Sequence, residues 1–462
     1  MAAVATARAW PLVGAARAAR DRRVIAWVCV AAGIETGLVG FAGHSKGLIV
    51  AAGLGVVALL AVLAPQFLLA MFLVAGGLKE EPYLSGFPID LTVLTAAGVI
   101  LAMARRSLDR GGLPRLPPAA ALAAALAALV AASVLWSPLP EDGLSKALRF
   151  ETFTMAAFFA PLVLVRSRAD LVRLMVFVAA FSLLIALTAV PGTEPSEPLT
   201  LAGGHSEIEL ALYATAGAVA SIYLAMATSW RWRILFIVPA AVLAKIVIAA
   251  GSRGVLIGAI VAAAFMGVQA IRRARAKIVP IAVLVAAIAV VAAFGTQLAG
   301  SAAQKYQGFL FSGDTATRLG KRNFLLDDGV ALALSHPLGL GASGYQGATQ
   351  FIYPHNALVE AADEQGVLGA ALLGTLMLAA LRSSLRRRGA RVTAESILAG
   401  GLLIVVISDA MVSQSFTQFR ELWFAMGLAL ALPRLAAAEP QQRGERSRAV
   451  ARVEAEDARG QQ

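Results

Sequence analysis

The chain has a single cysteine, Cys29, set inside an apolar run, which rules out an intramolecular disulfide and a thiolate metal cluster. Charge is scarce as well. Only 15% of the 462 residues are Asp, Glu, Lys or Arg, 59% are hydrophobic, and the mean hydropathy is +0.75. A water-soluble chain carries about a quarter charged residues. The sequence has no Walker loop, no Asp-x-Asp pair of the kind that holds a metal–nucleotide, and no His-Glu-x-x-His. No cofactor and no metal are expected from these motifs.

What is present is apolar length. Charged residues sit between runs of about 18–20 apolar residues, the length that a bilayer core demands. Helices satisfy their own backbone hydrogen bonds in lipid, so the expected fold is all-α: a polytopic membrane bundle. The candidate spans are 24–42, 47–64, 66–78, 90–104, 118–136, 147–165, 171–190, 207–228, 233–250, 254–270, 278–298, 356–381, 394–413 and 421–435. Two of these, 66–78 and 90–104, are short, so the expected count is 12–14. The first run is too long for a cleavable signal sequence and reads as a retained helix.

The net charge of +12 is distributed as a topology signal, not as a nucleic-acid footprint, and no nucleic acid is expected as a partner. Arg20, Arg22 and Arg23 precede the first span. Arg105 and Arg106, Arg166 and Arg168, Arg231 and Arg233, Arg272 and Arg273, and Arg386 to Arg388 then fall on one side if every candidate span counts. By the positive-inside rule that side is the cytoplasm, and both termini lie there. The expected organisation is a cytoplasmic segment at 1–23, membrane helices over 24–298, a periplasmic loop at 299–354, membrane helices over 355–437 and a disordered cytoplasmic tail at 438–462. The loop is far longer than its fellows, and long loops bind or cover something. Its helix-breaking Pro337 and its glycines at 339, 341, 344 and 347 predict a short helix followed by a tight irregular segment.

Three patches carry candidate chemistry. In Pro354-His355-Asn356, proline in a helix's first turn would put His355 at the mouth of a span. There the helix dipole disfavours imidazolium and leaves the neutral base that proton abstraction needs. The other reading of His355 is a polar cap on an interfacial helix. Gly366 and Gly369 would let a neighbouring helix approach and hold the mouth rigid. In Gly251-Ser252-Arg253-Gly254, an arginine pinned between two spans suits an anionic headgroup; the alternative is snorkelling to lipid phosphates, as for Lys245. Arg318, Lys321 and Arg322 face outward against the charge trend, and Arg318 is the preferred phosphate ligand. A basic stretch resting on anionic lipid headgroups would look the same. Glu360, Asp363 and Glu364 cluster at helical spacing and read as pairing partners of the arginines, with a metal site the alternative. His44, His205 and His336 read as structural or loop-exposed.

The chain resembles the O-antigen ligase and O-antigen polymerase superfamily of bacterial envelope enzymes. The likeness lies in Trp136-Ser137-Pro138 with Leu144 to Arg149, in Gly251 to Gly254, in Ser335 to Gly341, and most specifically in His355-Asn356-x9-Gly366-x-x-Gly369. It implies an inner-membrane enzyme with a periplasmic active face and an undecaprenyl-diphosphate-linked glycan as donor. The acceptor would be a glycan or lipid A core, and neither a nucleotide sugar nor a metal would be used. His355 would be the base, and Arg253 and Arg318 would lie near the diphosphate. The sequence departs from many relatives at Gly203 to Glu209, where they carry a Pro-Asn pair. A transporter or flippase of lipid-linked glycans is the competing class, although no internal duplication is visible.

Overall fold

The computed structural model describes residues 30–31, 33–35, 46–79, 88–109, 112, 114–190, 199–201, 206–273, 315–385, 392–433 and 435. Among them the regular elements are helices, with one isolated antiparallel bridge between Val190 and Thr200. In chain order they are α1 (Lys46–Leu63), α2 (Pro65–Lys79), α3 (Leu91–Leu108), α4 (Ala120–Ser133), α5 (Pro140–Arg149), α6 (Met155–Leu164), α7 (Arg168–Thr188) and α8 (Glu207–Ala227). There follow α9 (Trp230–Ala249), α10 (Arg253–Arg273), α11 (Thr315–Ser335), α12 (Gly344–Thr349), α13 (Ala357–Leu385), α14 (Ala394–Ala410) and α15 over 420–433. Seven helical runs among the described residues are long and apolar enough to cross a membrane, with α5 and α6 counted as one run through a π-helical turn at Phe150–Thr154. The apolar stretches of α1, α2 and α4 are shorter.

Helix starts follow local chemistry. Asp90 caps α3 by accepting from Thr92 N at 2.7 Å. Ser167 and Asp170 form a reciprocal capping box on α7, and Thr393 and Ser396 do the same on α14. The helices pack in a chain of neighbours: α2 against α3 and α7, α8 against α7, α9 and α14, and α10 against α14. Gly258 lets α10 come within van der Waals reach of Val405 and Ser408 on α14, the close approach that small residues allow in lipid. A second group joins α13 to α4, α11 and α14. Phe150, Phe158 and Trp423 form an edge-to-face cluster in the core, and the Trp423 indole donates to Phe416 O at 2.7 Å.

Arg105, Arg106, Arg166 and Arg168 gather at one end of the bundle. Arg105 donates to Val62 O, Arg166 to Arg106 O, and Arg168 pairs with Glu395 at 3.1 Å, which ties the ends of α1, α3 and α6 to the starts of α7 and α14. Residues 133–146, 336–344, 355–366 and 411–416 meet at the other end, as described below.

Some details differ from the sequence reading. The sixth expected span starts earlier, at Pro140, because proline fits the first helical turn and Glu141 and Asp142 complement its dipole. Lys146 is therefore a helical residue, not a loop residue. Asn356, not Pro354, begins α13: its side chain accepts from Leu358 N and Val359 N at 3.1 Å, so Pro354 and His355 precede the helix. The helix in the long loop runs 21 residues and is not short. The expected span 278–298, most of 24–42, the loop up to 314, both terminal segments, Cys29, His44 and His205 lie outside the described residues.

α13 is interrupted. Gly366 has φ +72° and ψ −172°, and the chain resumes as helix beyond it. What approaches Gly366 is not another helix but the irregular segment after α11. A Cβ on Gly366 would collide with Pro337 O and Leu338, and one on Gly339 (φ +82°) would meet Glu364 O at 2.5 Å. Leu340 N donates to Asp363 O at 2.7 Å, Gly341 N to Glu364 O at 2.9 Å, and Val367 N to Pro337 O at 3.0 Å. The loop thus supplies the hydrogen bonds that the broken helix gives up. Gly366→Ala is expected to cost at least about 2 kcal/mol through strain and collision. Gly374→Ala, whose added methyl meets only Leu358 Cδ2 at 3.8 Å, should be neutral or stabilising. Melting curves of the two variants in detergent check this; equal transitions would refute the interlock.

Candidate functional site

His355 sits in the left-handed region at φ +58°, which costs a non-glycine residue energy. Two contacts hold its ring: Nδ1 lies 3.2 Å from Ser413 O, and the Tyr353 ring meets it edge-on at a centroid distance of 4.7 Å. A carbonyl oxygen only accepts, so this bond requires a proton on Nδ1, and in the neutral ring Nε2 is left as the basic nitrogen. The next residue, Asn356, donates to Met411 O at 3.0 Å while it caps α13. Both side chains grip the segment that leaves α14.

The Arg253 turn reaches the same segment. α9 ends at Ala249 and α10 begins at Arg253, with Gly251 at φ +67° making the reversal possible. Ser252 is buried and its carbonyl accepts from Leu256 N at 3.0 Å. The Cβ position of Gly254 lies 2.5 Å from Val412 Cγ2, 3.6 Å from Ser413 Oγ and 3.8 Å from Asp409 Oδ1. The turn that carries Arg253, through Gly254, and His355, 102 residues after Arg253 in sequence, therefore both pack against residues 409–413. Lys245 is exposed on α9.

Beneath this surface lies a charge cluster that sequence reasoning did not assemble. Lys146 Nζ donates to Glu360 Oε1 and to Glu364 Oε1, each at 2.7 Å, with the lysine 7% exposed and both glutamates fully buried. Glu360 also accepts from Ser415 Oγ at 2.7 Å and from Phe416 N at 2.9 Å. The expected arginine partners of these acids are replaced by one lysine. Lys146 stands six residues after Pro140, on the face of α5 that also places Gly143 against Ala342 O. Asp363, one residue from Glu364, is buried towards α11 near Gly329, and neither of its carboxylate oxygens makes a hydrogen bond of good geometry among the described residues. No three His, Cys, Asp or Glu side chains among the described residues are placed to share a metal ion. Between Glu360 and Glu364 the ammonium already occupies the place.

The motif segments are thereby joined. Ser137 Oγ donates to Ala342 O, Ala342 N donates to Ser133 O, and 339–341 cross the break at Gly366. The Cβ position of Gly369 is enclosed by Gln365 and Ala361 of its own helix, so it relieves crowding around the break. Tyr345 is fully buried and donates to Leu325 O at 3.0 Å, fixing α12 to α11. His336 is exposed and turned back on Ser335 Oγ and Leu332 O. Arg318, Lys321 and Arg322 fall in the first turns of α11, and their side chains lie outside the described residues.

Fold and site together define a polytopic helical membrane protein with a polar, interlocked centre at one end of its bundle. The family model described as O-antigen ligase matches residues 238–374, from α9 to the middle of α13. Over that stretch the chain is similar to the O-antigen ligase family. The match includes Arg253, α11, the crossing at Gly366 and His355, whereas Lys146 and residues 409–416 lie beyond it. No curated protein matches the chain.

The ion cluster carries a stability consequence. Lys146→Met leaves two buried carboxylates facing each other, and removing one partner of a buried pair costs about 3–5 kcal/mol. Folded yield and detergent melting temperature should fall sharply. Adding Glu360→Gln and Glu364→Gln to Lys146→Met should recover much of the loss, since the charge is then gone from both sides. No recovery in the triple variant would show that the lysine acts by packing alone.

Proposed function

We propose that the chain moves a glycan from undecaprenyl diphosphate to an acceptor hydroxyl at the periplasmic face of a bacterial inner membrane. Its product is either lipid A core bearing a glycan or a lengthened surface polysaccharide. The observation that carries this reading is the meeting of His355 and the Arg253 turn on residues 409–413, away from the basic end of the bundle. The end opposite the arginine-rich loops is the periplasmic one by the positive-inside rule.

The chemistry is a single displacement. The acceptor hydroxyl gives its proton to His355 Nε2 as its oxygen attacks the anomeric carbon. The bond from that carbon to the diphosphate oxygen breaks, and the electron pair leaves with the diphosphate. A diphosphate is a weak base, so it needs positive charge more than a proton; Arg253 and Arg318 supply it, with Lys321 and Arg322 in support. Attack opposite the leaving group inverts the anomeric centre. The scheme calls for no metal ion and no nucleotide.

The break in α13 is the feature that a transporter reading would use, because interrupted helices line substrate sites in transporters. There the freed carbonyls face a cavity. Here those of Asp363 and Glu364 are taken by Leu340 N and Gly341 N, so the break is filled by protein and supports the transferase instead.

His355→Ala in the source bacterium should cut glycan addition by at least about 100-fold while the protein still inserts. Arg253→Lys should also impair it, since lysine lacks the planar fork. Electrophoresis of surface polysaccharide gives the readout. Glycan stranded on the lipid carrier would mark a ligase, and acceptors bearing single repeat units a polymerase. Wild-type product from His355→Ala would end the proposal.

A further inference from the structure

A backbone carbonyl orients an imidazole only if its own peptide is fixed, and Ser413 is fixed from both sides. Upstream, Val412 N and Ser413 N donate to Asp409 O at 3.1 and 2.9 Å, and Asn356 holds Met411 O. Downstream, the two oxygens of Glu360 grip consecutive residues: Oε1 takes the Ser415 hydroxyl and Oε2 the Phe416 amide. Glu360 is aimed in turn by Lys146, which Glu364 holds with a second bond of 2.7 Å. The path from α5 to the histidine runs Lys146, Glu360, the 415–416 peptide, Ser413 O, His355 Nδ1. Every link is a hydrogen bond or the short backbone from Ser413 through Gln414 to Phe416, and every charged group in it is buried.

We infer that Lys146 and Glu360 are positioning residues for His355: they set the 413–416 turn, whose Ser413 carbonyl selects the Nδ1–H tautomer and leaves Nε2 for the acceptor proton. Neither side chain touches the reacting atoms. Rotation of the Ser413 peptide would release Nδ1, and the ring would then exchange its proton between the two nitrogens. The inference rests on the glycosyl-transfer reading for the purpose of the ring, but the tautomer itself is measurable without substrate.

The test is nitrogen NMR on the full-length protein in detergent micelles, labelled with 15N at its four histidines. The spectrum of His355→Gln identifies the His355 signals by their loss. In the wild type, Nδ1 is expected protonated and Nε2 unprotonated in the neutral ring. Glu360→Gln replaces an oxygen that accepts from Phe416 N, or the one that takes Ser415 Oγ, with an NH2 group that only donates. The two His355 signals should then move toward each other as tautomers exchange. Ser415→Ala, which leaves the lysine pairs intact, should give a smaller shift in the same direction, and it serves if Glu360→Gln fails to fold. Ser383→Ala, which frees Ala429 O at 2.9 Å elsewhere in the bundle, should leave both signals in place. An unchanged Nδ1–H pattern in Glu360→Gln and Ser415→Ala overturns the inference. If those variants shift the signals but His355→Ala still adds glycan in cells, the transferase proposal falls and the positioning stands.

Discussion

One ammonium group between two carboxylates, closed off from solvent, is the constraint on which the polar end of this bundle depends. Each ion loses its hydration on folding, a penalty of several kcal/mol per charge, and recovers it only if geometry is good and the remaining lone pairs find donors. Lys146, Glu360 and Glu364 meet the first condition with two bonds of 2.7 Å, and Ser415 and Phe416 help to meet the second for Glu360. The pair also fixes register. Glu360 and Glu364 are one helical turn apart, so a single lysine can satisfy both only when α5 lies beside the first turns of α13. Apolar packing alone would tolerate a slide of one helix along the other; this contact does not.

The same economy governs the break at Gly366. Backbone groups released inside an apolar bundle cost several kcal/mol each unless they are paired again. Residues 337–341 pair them, and those residues can approach only because Gly339 and Gly366 have no Cβ and can take positive φ. Because Ala342 is bonded to Ser133 and Ser137, the loop after α11 is fastened at once to α13 and to the end of α4. The segment of the long loop after α11 is therefore not draped over the bundle. It is a structural insert, and the ion cluster lies a few residues away on both chains that it joins.

The class of fold was legible in the sequence because apolar run length and arginine placement report on lipid directly. Span ends were less so. Proline and two acids at 140–142 read equally as a loop or as a first helical turn, and only packing chose the helix. In the site, His355 and Arg253 stood out as polar residues beside breaks in apolar runs. That the Arg253 turn and His355 both pack on 409–413 did not, because 409–416 carries no motif: Ser413 acts through its carbonyl, which every residue possesses. Lys146 was hidden for a related reason. A cation near a span's outer end reads as a snorkelling side chain, and nothing local announces two glutamates more than 200 positions away.

The backbone at 355 bears on what that residue is for. A non-glycine residue in the left-handed region costs about 1–3 kcal/mol, and asparagine, aspartate and histidine bear it most readily. The chain places asparagine one position later, where its amide caps α13 and holds Met411 O, and gives the strained position to an imidazole. Capping does not explain the histidine, since Asn356 performs it. Packing does not require it either, for the ring is only half-buried and touches Tyr353 edge-on. What the left-handed turn does is bring Nδ1 to the Ser413 carbonyl, which fixes the proton on one nitrogen and leaves the other basic. Under the proposed function, that strain serves the proton-accepting nitrogen.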